Sequence, residues 1–519
     1  MATAFDQRFQ AMDIANTAHR PSDVPTTAVV PYIDVRETHT GVVVLAGNRA
    51  FKAKKPVLTD FLDFRTPGSR ERACVREVEL NSRLCPDSYL GVAHMTDPTG
   101  GPAEPVVVMR RYLDGDRLAS LVTLRPQGEN DEFVKGVLDA IAKMLANFHE
   151  RAERSPSIDA NGTLDAISQR WHENLSELYR YASGPSSGFS RKTIERIEHL
   201  AVEFLSGREL LLTRRVAQRC IVDGHADLLA DDIFWVDGKP ALLDCLEFDD
   251  ELRYVDRIDD AAFLAMDLEF LGRKELGDYF LARYVAHSAE KAPASLRDFY
   301  IAYRAVVRAK VDCVRHWQGK AEAATDAARH LAIATRHLEN GAVRLALVGG
   351  NPGTGKSTLA GALAEQVGAQ VISTDDIRRE LREWGDITGE PGVLDAGLYT
   401  PENVATVYSV VLRRARVCLS NGQSVILDGT WLDPQARAQA LCVAAETHSA
   451  VVGFVCAATI DTAASRIRTR GPGTSDATPE ISTALAAGHA SWDRAHRIDT
   501  ARAVQSSVQE AQEVWRRVI

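Results

Sequence analysis

Gly350-Asn351-Pro352-Gly353-Thr354-Gly355-Lys356-Ser357 has the composition and spacing of a loop that grips phosphate. Its glycines let the backbone curl until successive N–H groups point at phosphate oxygens, and a following helix adds the partial positive charge of its N-terminus. Lys356 is spaced to reach the β- and γ-phosphates, the Ser357 hydroxyl to meet Mg²⁺, and Thr358 carries the loop into the helix. The apolar run 345–348 reads as a buried strand and 358–367 as a helix, which is the context this motif requires. The chemistry implied is binding of a nucleoside triphosphate, with ATP and Mg²⁺ as the expected cofactors.

Further residues downstream suit group transfer. Asp375 and Asp376 end the strand 371–373 at the carboxyl edge, where ligands sit in an open α/β sheet. Asp375 is the expected base for an acceptor hydroxyl, a neighbouring arginine would orient the substrate, and one of the two aspartates should also cap a helix. The strand 425–427 runs into Asp428, which with Ser357 would hold Mg²⁺. Arg466, Arg468 and Arg470 precede Gly471-Pro472-Gly473 and read as a helix end opening into a lid. There Arg466 and Arg470 would neutralise charge developing on a transferred phosphoryl group. Trp384, Tyr399 and Trp431 could stack on a sugar or base, or simply pack the core.

A second constellation lies upstream. His225-Ala226-Asp227, then Asp232, then Asp244 follow the order of a protein-kinase-like catalytic centre. With Gly224 to Leu228, Ile233-Phe234 and Gly238 to Asp244, they resemble the aminoglycoside/choline/homoserine phosphotransferase branch of that fold. The resemblance implies that Asp227 accepts the hydroxyl proton and that Asp232 and Asp244 hold Mg²⁺. It also makes Lys52, in Ala50-Phe51-Lys52, the ATP-binding lysine, Glu77 its ion-pair partner, and 107–110 the hinge beside the adenine. The chain departs from that pattern at Asp232, where the branch carries asparagine, and at Leu229, where it carries histidine. Only Gly41 and Gly47 serve as a glycine-rich loop. Asp232 is still an oxygen ligand that Mg²⁺ accepts, but it adds negative charge beside ATP.

The elements that must position these residues fall into two patterns. Residues 1–31 lack periodicity and read as a loose arm. From 41 to 52 two strands flank a Gly-Asn turn. Helical spacing covers 69–84, 131–152, 164–181 and 191–205, a buried strand covers 106–109, and strands fill 220–244. Helices resume from 261 to about 340. After Gly341 short strands alternate with helices, which signals a parallel α/β sheet. The expected fold class is therefore mixed α/β and α+β. The resemblance implies a bilobal protein-kinase-like domain over 32–340, followed by an expected P-loop NTPase parallel-sheet domain over 341–519.

The second domain resembles small P-loop kinases of the polynucleotide-kinase, zeta-toxin and gluconate-kinase type, with 475–478 following the lid arginines. The two halves in this order resemble the fused family labelled bifunctional aminoglycoside phosphotransferase/ATP-binding protein, also called AAA family ATPase. Lys52-Ala53-Lys54-Lys55-Pro56-Val57 with Phe61-Leu62-Asp63-Phe64, Tyr89-Leu90-Gly91-Val92 and Glu247-Phe248-Asp249 carry that likeness further. It implies two ATP-dependent phosphotransferase modules on one chain, and says nothing of aminoglycoside resistance.

Composition narrows the classes. The chain has 519 residues, 45% of them hydrophobic, and a net charge of −10. From Ala342 onward it holds 17 basic and 19 acidic residues, so neither half offers the basic face that nucleic acid needs. No run approaches the ~18 apolar residues of a membrane span. The start has no basic-then-apolar signal, and the eight scattered cysteines form no C-x-x-C pair. The expectation is a cytoplasmic enzyme acting on a small-molecule hydroxyl acceptor. The rival readings are a nucleic-acid 5′-hydroxyl kinase, an ATP-sensing regulator with a degenerate first domain, and a protein kinase. Against the last, no activation segment or A-P-E follows Asp244. Oligomeric state is not legible.

Overall fold

The computed structural model describes residues 32–37, 41–58, 63–96, 98–123, 131–182, 189–390, 396–469 and 492–519. The expected arm, Phe61-Leu62, Arg470 and the segment 475–478 lie outside them.

The chain opens with a five-stranded antiparallel sheet in the order β1-β2-β3-β5-β4: β1 (Ile33–Glu37), β2 (Gly41–Ala46), β3 (Arg49–Lys54), β4 (Tyr89–Met95) and β5 (Glu104–Arg110). The Gly-Asn turn closes β2 onto β3, with Gly47 at φ +58°. Helix α1 (Pro67–Ser82) lies between β3 and β4 in sequence. Its start is fixed by Pro67 in the first turn and by Thr66, whose hydroxyl accepts from the Ser69 N–H at 3.2 Å.

The second lobe is helical. It comprises α2 (Leu118–Thr123), α3 (Asp131–Arg151), α4 (Pro156–Ala160), α5 (Leu164–Ala182), α6 (Arg191–Ser206) and α7 (Glu209–Ala217). After α8 (Asp250–Arg253) come α9 (Arg257–Phe270), α10 (Lys274–Ser288), α11 (Ala294–Trp317) and α12 (Ala323–Gly341). Two short ribbons cross this lobe: β6 (Ile221–Asp223) pairs with β9 (Tyr254–Asp256), and β7 (Ile233–Val236) pairs with β8 (Lys239–Leu242). One apolar core runs from Cys74 and Val107 of the sheet lobe to Leu338 of α12, so the two lobes share it. The sheet lobe with α1 and the helical lobe are the two lobes expected from the sequence.

Beyond α12 a five-stranded, all-parallel sheet runs in the order β11-β12-β10-β13-β14: β10 (Arg344–Gly349), β11 (Gln370–Ser373), β12 (Val425–Asp428), β13 (Ala450–Ala457) and β14 (His496–Asp499). Its helices are α13 (Lys356–Val367), α14 (Thr374–Trp384), α15 (Pro401–Ser420), α16 (Pro434–Glu446), α17 (Ile460–Thr469) and α18 (Val504–Arg517). Strand alternation splits β10 between two cores. Leu345 and Leu347 join α14, α15 and α16 on one face, while Ala346 and Val348 join α13 and α18 on the other. β14, which closes the sheet, is absent from the sequence-based strands; His496-Arg497-Ile498-Asp499 has one apolar residue and too little alternation to read as a strand.

The halves meet around Arg208, which is buried and has carbonyls rather than a carboxylate as its partners. It donates to Gly207 O at 2.7 Å, Leu419 O at 2.6 Å, Thr447 O at 3.0 Å and His448 O at 3.3 Å, holding the carboxyl ends of α15 and α16. A cation there answers both helix dipoles. Among the described residues no helix is long and apolar enough to cross a membrane.

Candidate functional site

The downstream site is built at the carboxyl edge of the parallel sheet. β10 ends at Gly349, the loop turns, and α13 begins at Lys356. Gly350 stands at φ +132°, and a Cβ there would lie 2.6 Å from Cys456 O, so only glycine fits. Its N–H donates to Thr430 O at 3.1 Å. Thr354 closes the loop on Asn351 O at 2.7 Å, and Lys356 Nζ reaches back to the same carbonyl at 3.0 Å. Strand register sets Asp428 beside both Val348 and Ser373. Burial pushes the Asp428 carboxyl up, against the pull of the nearby Ser357 hydroxyl and Lys356 ammonium. Asp428 Oδ1 is buried without a hydrogen-bond partner.

Asp375 lies in the first turn of α14 and pairs with Arg378 at 2.5 Å, while Arg379 pairs with Asp376 at 2.8 Å. Neither aspartate is the N-cap. Ser373 takes that position, accepting from the Asp375 N–H at 3.2 Å, so the two carboxylates go to their arginine partners instead. Arg378 also lies 4.4 Å over the Tyr399 ring. Asp375 and Asp376 are close enough to raise the Asp428 carboxyl further, so the three share one site.

Arg466 lies in the helix end expected there, with the expected lid beyond it outside the described residues. It sits in α17 and donates to Thr500 O at 2.7 Å, while Thr500 Oγ1 donates to Thr354 O at 2.6 Å. It is packed beside the phosphate loop, with Nη1 3.4 Å from where a Gly355 Cβ would stand. Trp431 is core: 1% exposed, with Nε1 donating to Leu427 O at 3.0 Å. Trp384 is exposed.

The upstream site lies between the lobes. Lys52 of β3 pairs with Glu77 of α1 at 2.9 Å and with Asp244 at 2.5 Å. Burial opposes the Lys52 charge, yet Asp244 and Glu77 raise its pKa well above the ordinary value. Asp244, at φ +62°, receives no help from burial but is held low by Lys52, and its N–H donates to Tyr89 OH at 3.0 Å. Burial pushes the Asp227 carboxyl up to about 6. Burial and the charges of Asp244 and Asp227 raise Asp232 well above the carboxylate range. Lys52, Glu77, Asp227, Asp232 and Asp244 are thus brought together.

Several residues that hold this site carried no sequence signal. Asp260 of α9 accepts from the N–H groups of His225 at 2.7 Å and Ala226 at 2.8 Å, and from His149 at 2.9 Å. Arg304 of α11 donates to Ala226 O at 3.1 Å while gripping Asp259 through both nitrogens. These contacts fix Ala226 at φ +66°, a conformation an alanine rarely adopts unless its surroundings impose it. A Cβ on Gly224 would meet Asp260 Oδ2 at 2.6 Å. His225 Nε2 bonds to Leu243 O at 3.1 Å, tying the loop to the segment that carries Asp244; burial lowers its pKa.

Both sites fit a hard divalent cation. The downstream one offers the orphaned oxygen of Asp428 beside Ser357, and the upstream one offers three mutually repelling carboxylates. Among the described residues no three His, Cys, Asp or Glu form a closed cage. Mg²⁺ requires none, since it is held by one or two carboxylates plus substrate phosphates.

Residues 345–494 match the AAA_33 family model, an AAA domain. The chain is similar in fold to a choline/ethanolamine kinase family protein from Mesorhizobium loti (13% identity, 60% of this chain and 92% of that chain, TM-score 0.36). It is also similar to the APS kinase CysC of Mycobacterium tuberculosis (15% identity, 34% and 98%, TM-score 0.27). The uncharacterized protein Rv2004c of Mycobacterium tuberculosis (strain ATCC 25618 / H37Rv) is 66% identical over 489 residues, 94% of this chain and 96% of that one. On that identity and coverage, the chain belongs to the family of the mycobacterial protein Rv2004c.

Proposed function

We propose that the chain is an ATP-dependent phosphotransferase with two nucleotide sites, and that the downstream site moves the γ-phosphoryl group of ATP to a hydroxyl of a small molecule. The observation that carries this reading is the convergence of Lys356, Ser357, Asp428 and the Asp375–Arg378 pair on one sheet edge. Lys356 and the loop amides would position the triphosphate. Ser357 and Asp428 would hold Mg²⁺, which when bound screens the phosphate charge. Asp375 would take the acceptor proton, with Arg378 holding its carboxylate in place. Arg466, fixed by Thr500 against the loop, would stabilise charge on the phosphoryl oxygens from a preset position rather than from a lid. Arg470 keeps its proposed role on the resemblance alone.

At the upstream site Lys52 and Glu77 would clamp phosphate, Asp232 and Asp244 would hold Mg²⁺, and Asp227 would be the base. An ATP-sensing role for this site is favoured by one feature: Asp232 adds a third carboxylate beside Asp227 and Asp244. Calorimetric titration with ATP and Mg²⁺ tests the two-site reading. Two equivalents of ATP should bind, falling to one in Lys356→Ala and to one in Lys52→Ala. Binding of a single equivalent that Lys356→Ala leaves intact would overturn it.

A further inference from the structure

β1 stands at one edge of the antiparallel sheet, and among the described residues it pairs only with β2. Tyr32 O accepts from the Gly47 N–H at 2.9 Å, so the backbone groups of Tyr32 face β2. These groups alternate in direction along an antiparallel strand, so those of Asp34 and Arg36 face β2 as well. The N–H and C=O groups of Ile33, Val35 and Glu37 therefore point away from the sheet. The same three residues carry the exposed side chains of the strand, with Ile33 60% and Val35 58% exposed. Val35 stands in register with Val44 of β2, Phe51 of β3 and Val108 of β5. An apolar row thus crosses the outer face of the sheet and breaks off at Val35. From the other face Arg36 holds β1 rigid, gripping Asp114 at 2.7 and 3.0 Å.

Proteins blunt an open edge with lysine, proline or a bulge. β4, at the opposite edge, has a register shift between Tyr89 and Gly91, with Gly91 at φ +132°. Ile33-Asp34-Val35-Arg36-Glu37 contains no lysine, proline or glycine, and its register with β2 is unbroken. The order of its residues is also self-complementary. Laid antiparallel on a second copy about Val35, Asp34 stands opposite the partner's Arg36 and Ile33 opposite the partner's Glu37. In that register the outward groups of Val35 exchange both hydrogen bonds with the partner's Val35, and those of Ile33 do so with the partner's Glu37. Centred on Asp34 or on Arg36 instead, the pairing would set like charges directly against each other. We propose that β1 is a dimerisation edge, where two copies of this chain pair antiparallel about a two-fold axis at Val35 and join their five-stranded sheets into one of ten strands. The contact is short, since five residues a side bury less than the ~1,200 Å² of a standard interface, and Kd should be about 10 µM.

Sedimentation velocity of the full chain, from about 1 to about 200 µM, tests this through the passage from monomer to dimer. Val35→Pro removes the outward N–H at the axis, a group that the β1–β2 ladder does not use. Val35→Lys sets two ammonium groups against each other at the same point. Each should raise Kd at least about thirtyfold while ATP binding stays unchanged, and Val35→Lys carries the test if Val35→Pro does not fold. A chain that remains monomeric at about 200 µM overturns the proposal, which is also the outcome expected if another part of the chain covers this edge. A dimer that neither substitution weakens overturns it too, because the contact then lies elsewhere.

Discussion

Raising the pH should loosen the helical lobe at one identifiable residue, His337. On α12, its Nδ1 bonds to Asp298 of α11 at 2.6 Å and its Nε2 to Glu269 of α9 at 2.8 Å, with the imidazole 3% exposed. Burial alone would lower its pKa, but the bonds to both carboxylates lift it from the ordinary 6.5 to about 9. A group whose folded pKa is raised stabilises the fold in full below about 6.5, and loses that contribution as pH climbs through about 9. The interval corresponds to about 3 kcal/mol. Arg336 also pairs with Glu269 and remains when His337 is neutral, so the loss should fall at or below that figure. Urea unfolding of the parent and of His337→Gln at pH 6 and pH 10 isolates the effect. The parent should be more stable than the variant by about 3 kcal/mol at pH 6 and by less than about 1 kcal/mol at pH 10. A gap that stays constant across that range would refute the reasoning, because groups other than His337 titrate equally in both chains.

Two further outcomes follow from the packing. Arg208→Met strips charged donors from Leu419 O and Thr447 O at the ends of α15 and α16, partly offset by the relief of burying a guanidinium. The expected loss is about 2–4 kcal/mol, read as faster hydrogen exchange in 401–420 and 434–446. Gly350→Ala forces a Cβ to within 2.6 Å of Cys456 O at a φ that alanine rarely adopts. It should lower ATP affinity at the downstream site at least tenfold, by calorimetry, in a chain that still folds.

Much of the site was legible because the chemistry needs particular residue types at short range. The phosphate loop, Asp375, Asp428 and the His225-Ala226-Asp227 run are local patterns, and each sits where its strand or turn was expected to end. Lys52 and Glu77 required the additional knowledge of a fold, since 25 residues separate them. What stayed hidden is long-range and polar. Asp260 holds the catalytic-type loop from α9, Tyr89 braces Asp244 from β4, and Thr500 links Arg466 to Thr354 from the far end of the sheet. None of these has a spacing that distinguishes it from a solvated residue. The three alternating arginines before a Gly-Pro turn marked the end of α17, but the backbone carbonyl that holds Arg466 is a partner no pattern announces. Ser373 displaced the aspartates as helix cap because its hydroxyl already stands at the strand end, and the two carboxylates pair with Arg378 and Arg379 instead.

The most direct test of the account follows the γ-phosphoryl group itself. The full chain is incubated with ATP, Mg²⁺ and a panel of sugars, nucleosides and aminoglycosides, and phosphorus NMR records where the phosphoryl group goes. A phosphate ester that forms in step with ADP, persists in Asp227→Ala and disappears in Lys356→Ala is the predicted result. ADP formed together with inorganic phosphate alone, at a rate no hydroxyl compound changes, would contradict phosphoryl transfer. An ester that survives Lys356→Ala and is lost in Asp227→Ala would move the chemistry to the upstream site.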